Sequence, residues 1–465
     1  MVSKSNPFVI TKVVKHYLSD INRFQTYDFE KIKKYRNKLF QKLVKYAFSV
    51  PIYKKKYLDA GISIKKIKSL EDIEKLPIIT REDLMNNYPS GVIHKRKVKK
   101  SVVINTSGSS RNPLLYYTDQ FTLMKTLIIY VRQLREYDFE WKKSKMSVIA
   151  NFYSGTGPTR YFNTGAFPTL KPFFSLDNFQ LLNADDDLKE LINNLDTFKP
   201  EFLAGFPGPL RHMALLKNQG YGKYVNPKCI ISSGGIIDKY DKIEIEQAFG
   251  VKVYDFFGST EAGPISFECD VGCFHINSDY IFLETVDKKG KKIPKGKPGI
   301  LSLTRLYGKG TPIIRYTGME DFITLKKGFC KCGLSTELIE RVHGRIKECV
   351  VLPSGKIIFS YDLKMLPGKV MYKLKTDKIH MIQTVQESLE KVEVLVIIDD
   401  KKRKIGIPIK KLLEELENGY ERLFEGEVEV KVKEVKELKS EQANPESKPG
   451  VLSTIDVYKH IKFRS

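Results

Sequence analysis

The chain has 465 residues, 42% hydrophobic and 11% aromatic, with a formal net charge of +24. That length exceeds one ordinary core and predicts two or three domains, while the apolar content excludes a disordered chain. The lysines run along the whole sequence, with short clusters at residues 54–56, 95–100 and 401–404. Such diffuse charge attracts anions in general but lacks the single basic face or module of a nucleic-acid reader.

The N-terminus carries charges but neither the apolar stretch nor the small-residue cleavage pattern of a signal peptide. The longest apolar run, near residues 127–131, is far too short to span a bilayer. The expected compartment is therefore the cytoplasm, where six cysteines stay reduced and are candidates for metal binding before disulfides.

In chain order, residues 1–100 read as helical, basic and amphipathic. Ser69 begins a capping signal that ends at Pro77. Two apolar runs of strand character, residues 102–104 and 114–117, enclose a loop rich in hydroxyls: Thr106, Ser107, Gly108, Ser109, Ser110, Arg111, Asn112 and Pro113. Backbone N–H groups and Ser/Thr hydroxyls at a strand end can wrap phosphate oxygens, although most such turns are plain hairpin connections. Residues 119–137 show helical apolar spacing. Strand-like runs at 147–150, 229–232 and 251–257 then alternate with helical segments at 187–198, 209–218 and 239–249, which argues for an α/β domain with a largely parallel sheet. From 276 to 324, short strands with Gly/Pro turns predict a β-rich subdomain. Beyond about Gly344 lies a small α+β unit, with a strand at 392–398, a helix at 409–417 and an alternating strand at 428–435. The expected division is residues 1–343 and 344–465.

Moving a nucleotide onto a carboxylate needs a triphosphate clamp, a magnesium-bound acid and a group that holds the ribose. The work is mostly positioning and charge stabilisation. The loop at Thr106 can supply the clamp. Thr260 and Glu261, after a strand and the turn Phe257-Gly258-Ser259, offer a hydroxyl for phosphate and a carboxylate for magnesium. In Arg315-Tyr316-Thr317-Gly318-Met319-Glu320-Asp321, either Glu320 or Asp321 can accept the ribose hydroxyls, and Asp321 is preferred.

Taken in order, the loop at Thr106, the run 257–261, Arg315 with Asp321, and Gly344-Arg345 resemble the adenylate-forming superfamily. Within it the chain looks like the phenylacetate–CoA ligase family and its CapK-like relatives, over nearly its whole length from Leu76-Pro77 onward. The resemblance implies a large adenylation domain and a small mobile C-terminal domain that use ATP, magnesium and CoA. It also implies that Gly234 and Gly235 line the adenine site with Phe257, and that Arg315 meets phosphate or ribose. Arg345 would mark the hinge, with Lys347 near the pivot. The lysine expected near the C-terminus is assigned to Lys448, in Ser447-Lys448-Pro449-Gly450. The chain departs from the family at Arg111, where a second loop glycine is usual, at Leu114, where wider relatives have lysine, and at Phe257, where tyrosine is usual.

The implied reaction is ATP-dependent activation of a small carboxylic acid to an acyl-AMP and then an acyl-CoA. The alternative is a CapK-like enzyme that passes the acyl group to another acceptor in cell-surface polysaccharide synthesis. Aromatic residues at 152–153, 162, 167, 173–174 and 206 give the intervening region a bias toward an aryl or apolar acid, although most aromatic residues pack cores. No specific nucleic acid is expected as a partner, and the resemblance makes a homodimer plausible. Cys269, His275, Cys330 and Cys332 offer thiolate and imidazole donors for a four-coordinate, structural zinc, with Cys273 as a substitute ligand. Cys229 and Cys349 sit in apolar runs and read as core residues.

Overall fold

The computed structural model describes residues 7–106, 113–152, 176–440 and 450–460. Residues 7–100 are mainly helical, as their periodicity predicts. Helix Phe29–Ala47 starts at Asp28, whose side chain accepts from the Lys31 amide, and buries Ile32, Arg36, Phe40, Leu43, Val44 and Ala47 along one stripe. Ser69 and Asp72 form the expected capping box ahead of the 3-10 turn Leu70–Lys75. No helix among the described residues is long and apolar enough to cross a membrane.

The strands are β1 (Ser101–Asn105), β2 (Leu115–Asp119), β3 (Met146–Ala150), β4 (Phe179–Asn183), β5 (Phe202–Gly205), β6 (Cys229–Ser233) and β7 (Val253–Ser259). They continue as β8 (Gly263–Glu268), β9 (Phe274–Ile276), β10 (Ile281–Val286), β11 (Pro298–Arg305), β12 (Asp321–Leu325) and β13 (Leu338–Arg345). β1 and β2 form an antiparallel hairpin of their own. All the others join one sheet in the order β10-β11-β12-β13-β9-β8-β7-β6-β5-β3-β4. From β4 to β7 the pairing is parallel, with helices Leu188–Phe198, Pro207–Asn218 and Lys239–Phe249 as crossovers. At the β7–β8 hairpin it turns antiparallel and stays so to the far edge. The β-rich stretch is thus hydrogen-bonded onto the parallel half through β8 and β9.

The main core lies between the N-terminal helices and this antiparallel half, joining Phe40, Tyr53 and Leu76 to Ile276, Leu303, Ile313 and Tyr316. Buried charges fasten the same interface. Arg23 and Arg132 both bond Asp279 (2.6 and 2.8 Å), and Lys125 reaches Asp20 at 2.9 Å. The C-terminal part adds β14 (Val350–Val351), β15 (Ile357–Ile358), β16 (Ile379–Gln386), β17 (Lys391–Ile398), β18 (Glu429–Glu434) and β19 (Val451–Ser453). Its four-stranded sheet, β18-β17-β16-β19, carries helices Ser360–Leu374 and Ile409–Leu423 on a separate apolar core around Val394, Leu412 and Leu416.

Candidate active site

The parallel-to-antiparallel switch falls on the residues singled out for chemistry. Ser259 pairs with Gly263, so Thr260, Glu261 and Ala262 form a three-residue hairpin loop. Gly263 closes it at φ +74°, the left-handed position that such loops use and that a side chain rarely adopts. Inside the loop, Ser259 Oγ accepts from the Ala262 amide at 3.1 Å. Glu261 is buried, and its carboxylate accepts from the Tyr316 hydroxyl at 3.4 Å.

Asp321 opens β12 and pairs across the ladder with Arg345 at the end of β13. The guanidinium Nε lies 3.4 Å from the Asp321 carboxylate, with Asp321 buried and Arg345 half exposed. Burial raises the Asp321 carboxyl to about 6 despite the attraction of Arg345, and the charges of Glu348 and Glu261 add to the rise. Glu261 acts on the Arg345 guanidinium as well. The structure therefore brings Glu261, Tyr316, Asp321 and Arg345 into one electrostatic unit. The neighbouring residue Glu320 adopts φ +56°, and its carbonyl accepts from the Ile346 amide at 2.7 Å, which ties this corner to the segment after Arg345. Lys347 is exposed in the 3-10 turn Ile346–Glu348.

Gly234 and Gly235 follow β6. A Cβ at Gly234 would lie 2.5 Å from the ring of Phe206, so that close approach, at φ +80°, requires glycine. Phe257 is half-buried on β7, and Gly258 follows it into the hairpin. Thr106 is buried at the end of β1, where its hydroxyl accepts from the Leu114 amide at 3.1 Å. Ser107, Gly108, Ser109, Ser110, Arg111 and Asn112 lie outside the described residues, as do Lys448 and the aromatic residues from Tyr153 to Phe174.

One assignment needs correction. Arg315, expected to meet phosphate or ribose, is buried at φ +48° with its guanidinium occupied by protein groups. Nε faces Glu284 at 3.2 Å, Nη1 donates to the carbonyls of Glu74 and Leu76 (3.2 and 2.6 Å), and Nη2 donates to that of Gly290 at 2.7 Å. The neighbouring Tyr316 instead turns its hydroxyl toward Glu261. The contributions of Tyr116, Arg305 and Tyr307, described below, had no signal in the sequence.

A second cluster lies on the far side of the antiparallel half. β9 sits between β8 and β13, with His275 paired to both Phe267 and Leu338. This register gathers Cys269, His275, Cys330 and Cys332, whose ligand atoms all lie within 4.8 Å of one another. Cys269 Sγ and Cys330 Sγ are 3.7 Å apart, and Cys332 Sγ is 3.2 Å from His275 Nε2. The other imidazole nitrogen meets Thr336 Oγ1 at 2.7 Å, which fixes the ring with Nε2 inward. Burial, with Lys326 nearby, lowers His275 to about 4, so the imidazole is neutral at pH 7, the form a metal binds. Cys273 stands outside the four, 3.6 Å from Lys326 Nζ. Cys229 and Cys349 are buried away from this cluster.

No model of a protein family matches the chain. Its sequence is similar to the phenylacetate–coenzyme A ligase of Thermus thermophilus, 23% identical over 340 residues that cover 70% of this chain and 73% of that enzyme. The phenylacetate–coenzyme A ligase of Pseudomonas putida is 21% identical over 401 residues, 84% of each chain. In fold it matches a 2-hydroxyisobutyryl-CoA ligase in the postadenylation state, with a TM-score of 0.75 and 20% identity over 94% of this chain and 92% of that one. In sequence, then, the chain is similar to phenylacetate–coenzyme A ligases, and in fold it is similar to a CoA ligase held in its postadenylation state.

Proposed function

We propose that this protein activates a small carboxylic acid with ATP and transfers the acyl group to the thiol of CoA. In the first half-reaction a carboxylate oxygen attacks the α-phosphorus of ATP, the bond to pyrophosphate breaks, and acyl-AMP forms. In the second, the CoA thiolate attacks the acyl carbon and AMP leaves. The observation that carries this reading is the buried Asp321, paired among the described residues only to a half-exposed arginine and set beside Glu261 at strand ends. Two carboxylates with free lone pairs at such a place suit ribose hydroxyls and a divalent cation.

Thr260 and Glu261 would hold magnesium, which supplies neutralisation of the phosphate charge. Asp321 accepts from the ribose, Phe257 stacks on the adenine beside Gly234 and Gly235, and the hydroxyls of residues 106–110 cradle the phosphates. Residues 344–465 turn about Arg345 between the half-reactions and present Lys448 to the carboxylate and α-phosphate. Cys269, His275, Cys330 and Cys332 would hold zinc. Four protein donors leave no open position, which makes the metal structural. Phe152 and Phe206 belong to the aromatic set that favours an aryl or apolar acid.

The deciding experiment is acid-dependent ATP–pyrophosphate exchange across an acid library, aryl acids first, followed by CoA-dependent release of AMP. Exchange and CoA turnover together support the reading. Exchange without CoA turnover leaves a CapK-like transfer to another acceptor, and no exchange with any acid rejects adenylation.

A further inference from the structure

The loop that carries Glu261 is held by side chains on three successive carbonyls. The Tyr116 hydroxyl donates to the Thr260 carbonyl. Arg305 Nη1 donates to that of Glu261 at 2.6 Å, and the Tyr307 hydroxyl donates to that of Ala262 at 3.0 Å. These donors come from different elements. Tyr116 lies on β2, on the strand leaving the Thr106 loop, Arg305 ends β11, and Tyr307 follows it with its hydroxyl also 3.0 Å from Thr126 Oγ1.

Arg305 closes a circuit. Its Nη2 donates to the Thr311 carbonyl at 3.2 Å, and Thr311 Oγ1 accepts from the Tyr117 amide at 3.0 Å. The Thr311 amide donates in turn to the Tyr117 carbonyl at 2.8 Å. Hydrogen bonds thus run from Tyr117 through Thr311 and Arg305 to Glu261, and back through Thr260 to Tyr116. Tyr116, Glu261, Arg305, Tyr307 and Thr311 are all buried. In that setting each bond is strong and each broken partner is left unsatisfied.

We infer that Arg305, Tyr116 and Tyr307 are positioning residues that aim the Glu261 carboxylate and lock its loop to the hairpin bearing the Thr106 loop. The Glu261 loop and strand β2 then form a single rigid frame beside the metal. This rests on the ligase reading above. It goes further by assigning the aim of the metal carboxylate relative to the β1–β2 hairpin to these bonds, whose donors Tyr116, Arg305 and Tyr307 touch neither ligand.

The test uses Tyr116→Phe, Tyr307→Phe, Arg305→Met and the double variant Tyr116→Phe with Arg305→Met in the full-length protein. Pyrophosphate exchange falls about 10- to 100-fold in Arg305→Met and by less in each Tyr→Phe, as for a reacting group displaced by an ångström or less. The Mg2+ concentration at half-maximal rate rises about fivefold or more, while KM for the acid stays unchanged. Opening a closed ring once releases it, so the double variant falls little below the worse single one, whereas independent supports would multiply. An unchanged Mg2+ dependence, or multiplicative losses, overturns the inference. If Arg305→Met does not fold, the tyrosine variants, each lacking one oxygen, carry the test. Equilibrium binding of Mn2+·ATP to the same variants separates the two proposals. A wild type without exchange that binds Mn2+·ATP more tightly than the variants do rejects the ligase reading and keeps the ring; equal binding rejects the ring.

Discussion

Two groups of buried charge in this molecule behave in opposite ways. Around Asp279, every carboxylate faces cations. Arg132 bonds both of its oxygens, Arg23 adds a third bond, and Asn277 Oδ1 accepts from the same Arg132 Nη2 that bonds Asp279. Burial alone would raise the nearby Asp20, but Lys125 and Arg23 hold it down at about 2. Around Asp321 the balance is reversed. One half-exposed arginine faces Asp321, three further acids crowd it, and its carboxyl, raised first of all by burial, lies at about 6. In the first group protein cations match every carboxylate, and the group fastens the N-terminal helices. The second is electrostatically unfinished, as groups reserved for an incoming molecule tend to be.

The comparison can be broken from either end. Asp279→Ala would leave Arg23 and Arg132 buried without their partner, and we expect a loss of about 3–5 kcal/mol in urea unfolding. A loss under about 1 kcal/mol would mean that these charges are not what fastens the layer. Glu261→Gln should do the reverse, leaving urea unfolding within about 1 kcal/mol of wild type while exchange drops about 100- to 1000-fold. Wild-type exchange from that variant would remove Glu261 from the site.

Asp321→Asn probes the strained carboxyl through pH. Its folded value of about 6 lies above the ordinary aspartate value of 3.8, so between these pH values the native state keeps a proton that the unfolded chain releases. The stability due to Asp321 is full below pH 4 and is lost as pH rises through about 6. Asp321→Asn should therefore match wild type at pH 4 and exceed it by about 2 kcal/mol at pH 7.5, with weaker ATP binding; identical melting profiles at both pH values would contradict the raised value. The smallest effect belongs to Cys273→Ser, which should still bind one zinc per chain by elemental analysis. Cys330→Ser should lose the metal and several degrees of melting temperature.

Local signals carried well from sequence to structure. The Ser69 capping box and the alternation of strands and helices from 147 to 257 both obey short-range rules. The four Cys/His donors were also legible, because strand pairing alone brings β9 beside the Cys330–Cys332 turn. Arg315 was misplaced because a motif names a position and not a direction, and the backbone there turns Tyr316 inward. The ring through Arg305 was invisible for another reason. Tyr116, Glu261, Arg305 and Thr311 share no spacing or periodicity, and only the folded sheet puts them in contact.

The N-terminal helices have a consequence for the order of events on the ribosome. Arg23 is bonded to Asp279, 256 residues later, and Arg36 to Glu337, 301 residues later. A chain emerging from its N-terminus therefore exposes the cations of this layer long before their partner carboxylates exist. The helices that come first in sequence must dock late, after the antiparallel half of the sheet has been synthesised, and contacts this distant make folding slow. During that interval the nascent protein shows its most basic segment and its apolar stripe together, the state in which a holding chaperone has most to offer.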